Sequence, residues 1–159
     1  MKMKILITGS SNGIGFQIAK DLLKEGHNLA LHYNSNNSKI KELVSENKDR
    51  SFIVQADLSK EDEVIGAMEQ AFSMCPNPSG VVSNAGLSPV HENKSEIIEV
   101  NWFAAKMVLE LSLEYLANSE GSSAVGFASI GAALGGDPEL EGYLHSEDRE
   151  GIELSLIHI

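Results

Sequence analysis

Cysteine is almost missing from this chain, with Cys75 the only one in 159 residues. A single thiol excludes an intrachain disulfide and a cysteine-based zinc site, and it points to a reducing, cytoplasmic compartment. Basic residues are also few. Twelve Lys and Arg stand against 23 Asp and Glu, a net charge of −11. Nucleic acid is therefore not an expected partner, because phosphate backbones call for clustered cations. No apolar run approaches the roughly 20 residues that span a bilayer, so no membrane is expected. The opening MKMKILITG is too short for a signal peptide. His27, His32, His91, His145 and His158 are scattered without ligand spacing, so no metal site is expected.

What is present is an alternation of two periodicities. Lys4 to Thr8 is a continuous β-rich run of the kind buried on both faces of a parallel sheet. After a Gly/Ser/Asn stretch, Ile14, Ile18 and Leu22 recur every four residues, a helix face that Gly26 ends. Leu29 to Tyr33 is a second strand, completing a βαβ unit. Asn37–Glu46 and Glu61–Met74 read as helices, the latter with Val64, Ile65, Met68, Ala71 and Phe72 as its apolar positions. Ser51–Gln55, Gly80–Ser83 and Ala124–Ala128 read as strands. Ser95 to Leu116 fits one long helix with Val100, Phe103, Ala104, Met107 and Leu111 on one face. Repeated βα units predict an α/β fold, a doubly wound parallel sheet of about five strands.

The loop between the first strand and helix is Thr8-Gly9-Ser10-Ser11-Asn12-Gly13-Ile14-Gly15. A pyrophosphate needs outward-pointing backbone amides, no Cβ in its way, and a helix N-terminus behind it. Gly9 suits the tight turn, Gly13 the close backbone approach, and Gly15 the packing of helix on strand. Three loop glycines alone are also compatible with an ordinary strand-to-helix turn. Their place at the first βα turn is where a Rossmann-like sheet holds a dinucleotide.

Thr-Gly-x-x-x-Gly-Ile-Gly resembles the cofactor loop of the classical short-chain dehydrogenase/reductase family. Further segments resemble that family in order: Asp57-Leu58 its adenine-contacting pair, Asn84-Ala85-Gly86 its Asn-Ala-Gly turn, Asn101 its active-site Asn, and Ser129 its catalytic Ser. Singly, Asp57 could be a helix cap, Asn84 a turn former and Ser129 a loop hydroxyl. Asn101, inside an apolar helix, reads as a buried amide in need of partners. The resemblance implies an NAD(P)-dependent oxidoreductase moving hydride between nicotinamide and a small carbonyl or alcohol substrate. It implies cofactor contacts from Gly9, Ser11, Asn12, Gly13, Ile14, Gly15, Tyr33, Asn34, Asp57, Leu58, Asn84, Ala85 and Gly86. The second strand ends in His32-Tyr33-Asn34-Ser35-Asn36, without the acid that would bind a ribose 2′-hydroxyl, which favours NADP over NAD.

The family's base is a Tyr whose pKa is lowered by a Lys four residues later. Tyr143 is the only Tyr after Ser129, but Glu147 stands where the Lys belongs, and a carboxylate would raise the pKa. A second resemblance, to the 3α-hydroxysteroid dehydrogenase/carbonyl reductase branch, implies another arrangement. That branch carries a helical insertion after the Ser, and Asp137-Pro138-Glu139-Leu140 with Glu147-Asp148 matches its pattern. Tyr143 then belongs to the insertion, and the Tyr/Lys pair lies beyond residue 153. Leu154 to Ile159 is the peptide that CTG TCT CTT ATA CAC ATC would spell, which resembles a transposase end sequence added in sequencing-library preparation. The expectation is a C-terminally truncated NAD(P)-binding domain over 1–153, a non-native tail over 154–159, and a homo-oligomer at full length. The alternative is a non-catalytic nucleotide-binding or sensing domain. A sugar-nucleotide epimerase of the extended family fits the glycine spacing less well.

Overall fold

The computed structural model describes residues 2–129 and 136–157. Five parallel strands, β1 (Lys4–Ile7), β2 (Asn28–Tyr33), β3 (Ser51–Gln55), β4 (Gly80–Ser83) and β5 (Ser123–Gly126), form one sheet in the order β3-β2-β1-β4-β5. The order reverses at β1, so the strand ends open a crevice between β1 and β4. This is the doubly wound, Rossmann-like α/β fold that the alternating pattern predicts.

Helices cover both faces, and the strand alternation decides which side chains each face receives. Ile5, Ile7, Leu29 and Leu31 point to one side, where α1 (Gly13–Lys24) and α2 (Ser38–Glu46) bury Ala19, Leu23, Ile40 and Leu43 on them. Leu6, Ala30 and Val54 point to the other, beneath Val64, Met68, Ala71 and Phe72 of α3 (Glu61–Met74). Ala104, Val108 and Leu116 close that second core from a helix in three parts: α4 (Lys94–Ile98), a π-helical turn (Glu99–Ala104) and α5 (Ala105–Leu116).

Several expectations are corrected. In α1 the buried stripe is Gly15, Ala19 and Leu23, one residue out of phase with Ile14, Ile18 and Leu22, and Ile14 is 62% exposed. Ile65 likewise points outward from α3. The helix expected from Ser95 begins at Lys94 and takes in an extra residue at a π turn over Glu99–Ala104. The fifth strand is shorter than Ala124–Ala128 and every residue of it is exposed. After it, Pro138–Ser146 forms α6, capped by the Asp137 side chain, and Arg149–Ile157 forms α7. α7 runs through residue 153 without a break and buries Ile152 and Ser155.

Candidate functional site

The turn after β1 is built around side chains that answer backbone groups. The Thr8 hydroxyl accepts the amides of both Asn84 and Ala85, each at 3.0 Å. In return the Asn84 side-chain amide donates to the carbonyls of Thr8 and Gly9, each at 3.1 Å. These bonds pin the loop after β4 against the loop after β1. The approach is so close that a Cβ on Gly9 would lie 2.7 Å from the Ala85 Cα, and one on Gly15 would overlap both Asn84 and Gly9. Gly9 also sits at φ +66°, a conformation that favours glycine.

Gly13 opens α1 at φ +53°, and a Cβ there would meet open space. The cap residue Asn12 makes no side-chain bond to the first turn of α1, and that turn carries no acid. Its amides therefore face outward at the positive end of the helix dipole, the arrangement that receives an anion.

These groups line a cleft of about 520 Å³ at the crevice between β1 and β4. Gly9, Ser11, Asn12, Gly13, Ile14, Asn34, Leu58, Asn84, Ala85 and Gly86 line it, as the motifs predict. The exposed Ile14 is thus an apolar wall of the cleft rather than core. Sequence reasoning missed His32, Ser35, Asn36, Leu87, Glu96 and Val100, which also line it. Ser35 and Asn36 were legible as polar residues at the end of β2. Glu96 and Val100 reach the cleft through the turn of a helix whose π segment no periodicity reveals.

Three predicted cofactor residues do not line the cleft. Gly15 acts from behind, by letting α1 approach the Gly9 turn. Tyr33 is buried in the core, its hydroxyl donating to Gln55 and accepting from Asn37. The Asp57 carboxylate accepts from the Ser59 amide and hydroxyl and pairs with Lys60. Partial burial works against its ionisation. The Ser59 bonds and the Lys60 charge outweigh that and hold its pKa below the ordinary carboxylate value. Its side chain ties the turn before α3 without capping that helix, whose cap residue is Lys60, while neighbouring Leu58 lines the cleft.

The predicted catalytic residues Asn101, Ser129 and Tyr143 sit on three different segments. Asn101 is exposed rather than buried, and lies in the π turn. Its side-chain oxygen accepts from the Leu87 amide at 2.7 Å and its amide donates to the Leu87 carbonyl at 2.9 Å, fastening the loop that borders the cleft. Ser129 follows β5 and is exposed, and residues 130–135 of its segment lie outside the described residues. Tyr143 is on α6 and does not line the cleft. Its hydroxyl donates to Glu139 at 3.0 Å, and that carboxylate raises its pKa. The sequence points to Glu147 as the interfering acid. Glu147 instead pairs with Lys106 of α5, and the acid one turn before Tyr143 has the effect. Among the described residues no group of three or more His, Cys, Asp or Glu could hold a metal ion, and no helix is long and apolar enough to cross a membrane.

Comparison with known proteins agrees with this geometry. Over 91 residues the chain is 36% identical to the 3-oxoacyl-[acyl-carrier-protein] reductase FabG of Staphylococcus epidermidis, covering 55% of this chain and 37% of that protein. It is 29% identical to the hydroxynaphthalene reductase-like protein Arp2 of Metarhizium anisopliae over 143 residues, covering 84% of this chain and 53% of that one. The chain thus spans about half or less of the length of these curated relatives. Among solved structures, a blue fluorescent protein from a metagenomic library, in complex with NADPH, superposes with a TM-score of 0.72 at 24% identity, covering 92% of this chain and 63% of that one. A short-chain dehydrogenase/reductase from Brucella melitensis gives 0.72 at 23% identity, covering 86% and 62%. With the Thr8–Asn84 lock, the outward-facing α1 amides and a match to the short chain dehydrogenase model over residues 3–143, the chain belongs to the short chain dehydrogenase family.

Proposed function

We propose that this chain is the dinucleotide-binding part of an NAD(P)-dependent oxidoreductase acting on a small carbonyl or alcohol. The observation that carries the reading is the cleft itself, where ten of the thirteen motif residues expected to touch cofactor meet at the uncapped start of α1. Bound there, the nicotinamide would supply or accept the hydride. The chain's own residues bind and orient: the α1 amides meet the pyrophosphate, Leu58 and Ile14 provide apolar walls, and Asn84 and Thr8 keep the two loops in register. NADP is favoured over NAD, because the cleft below β2 is lined by Asn34, Ser35 and Asn36, with no carboxylate to repel a 2′-phosphate.

Turnover is a separate matter. None of the three tyrosines is followed four residues later by lysine: Asn37, Ser119 and Glu147 stand there instead. The paired helices after Asp137-Pro138 support the 3α-hydroxysteroid dehydrogenase/carbonyl reductase branch, in which Tyr143 is an insertion residue and the base lies further on. Residues 154–159 are read as a non-native tail, and the full-length protein as a cytoplasmic homo-oligomer. The test is to titrate NADPH and NADH into the 159-residue chain and then add ketones. Saturable binding without steady oxidation of NADPH supports the reading. Absence of binding overturns it, and turnover that is lost in Tyr143→Phe would restore Tyr143 as the base.

A further inference from the structure

His32 is an ionisable residue in the interior, 3% exposed, that the proposed function leaves without a task. Its ring bridges two segments that both contribute to the cleft, one through Gly9 and the other through Leu58. The Gly9 amide donates to Nδ1 at 3.1 Å, so Nδ1 carries no proton. Nε2 lies 3.1 Å from the Ala56 carbonyl, which can only accept, so Nε2 carries the hydrogen. The two partners together select one neutral tautomer. The backbone of the same residue extends the bridge, because the His32 carbonyl accepts from both the amide and the hydroxyl of Ser10.

Gly9 belongs to the turn that faces the pyrophosphate, and Ala56 ends the segment leading to Leu58. The small cavity beside the ring is lined by Leu6, Val54, Val64, Met68 and Val108 and by Thr8, whose hydroxyl is already engaged by the Asn84 and Ala85 amides. Loss of the imidazole would leave a glycine amide and a carbonyl to find new bonds, and the glycine turn is where rearrangement is easiest.

We propose that His32 is a positioning residue of the cofactor cleft, its ring fixing the spacing between the phosphate-facing Gly9 turn and the β3 exit that carries Leu58. The inference rests on the nucleotide-binding reading above. It makes His32 act through Gly9 and Ala56, from a place at the margin of the cleft that its own side chain helps to line.

The experiment compares NADPH dissociation constants and melting temperatures for four forms of the whole chain: wild type, His32→Leu, His32→Asn and Leu116→Ala. Leu fills the site and offers no polar atom. Asn keeps an acceptor near the place of Nδ1. Leu116→Ala truncates the same core at the far end of α5, away from the cleft and the ring, and is chosen to lower the melting temperature without touching the bridge. We expect His32→Leu to weaken NADPH about tenfold, His32→Asn to recover most of that loss, and Leu116→Ala to bind as wild type at a temperature where it is folded. Equal binding by His32→Leu and wild type would overturn the inference and leave the function reading standing. Equal weakening by His32→Leu and Leu116→Ala would make His32 a core residue only. Failure of the wild type to bind either dinucleotide would remove the reading itself. Should His32→Leu not fold, His32→Asn decides: affinity and the protection of the Gly9 amide from hydrogen exchange kept together or lost together support the role, and lost protection with wild-type affinity contradicts it.

Discussion

The Thr8 hydroxyl, 3% exposed, accepts two successive backbone amides across the crevice. Valine has the same shape without the acceptor, so Thr8→Val strands two donors where water has little access. The expected loss in unfolding free energy is about 2 kcal/mol, read from urea denaturation, and an unchanged midpoint would contradict the part assigned to this hydroxyl. His32 carries a pH signature. Burial lowers its pKa below 6.5 against the opposing Ala56 bond. Between the folded value and 6.5 the unfolded chain holds the extra proton, so stability rises with pH in that window. The contribution is complete above about pH 6.5 and is lost as pH falls towards the folded value. Melting temperatures from pH 7.5 down to about 5.5 should fall more steeply for wild type than for His32→Asn, which has no ring to protonate. Parallel curves would exclude the buried neutral ring. That role was invisible in the sequence. His32 reads there as one residue of an apolar strand, and only the folded register brings Gly9 and Ala56 to its two nitrogens.

At the scale of elements, strands and their order follow from the apolar runs and glycine turns, because a parallel sheet buried on both faces leaves few other arrangements. Helix phase was less legible. Ile14 fits a stripe with Ile18 and Leu22, yet the cleft claims its side chain, and Gly15, Ala19 and Leu23 meet the sheet instead. The π turn was not legible at all, since one extra residue in a helix leaves no mark on a short apolar pattern. It holds Asn101, whose side chain closes two bonds with the Leu87 backbone. In Asn101→Ala the Leu87 amide should exchange its hydrogen faster while amides of β1 keep wild-type rates. Unchanged exchange at Leu87 would mean that the loop is held by something else.

For the whole molecule, charge and edges matter most. Among the described residues the cleft is lined by no Lys or Arg, so an anion there would rely on amide dipoles against the field of a net charge of −11. Raising salt from about 50 to about 300 mM screens that field, so NADPH affinity should hold or improve. A steep loss would reveal a cationic contact. β5 is exposed along its length, with Val125 and, just beyond the strand, Phe127 each 49% exposed, and among the described residues only β4 pairs with it. Such an edge favours association, and Val125→Lys should reduce the concentration-dependent aggregation measured by light scattering. The proposed anion site lies at the start of α1, where Gly13 at φ +53° faces open space. Asn and Asp both tolerate that backbone and have the same shape, and differ by one negative charge. Calorimetric titration of NADPH into Gly13→Asn and Gly13→Asp should therefore give measurable binding to the first and at least about tenfold weaker binding to the second. Equal affinities for the two variants would place the phosphates elsewhere and contradict the account.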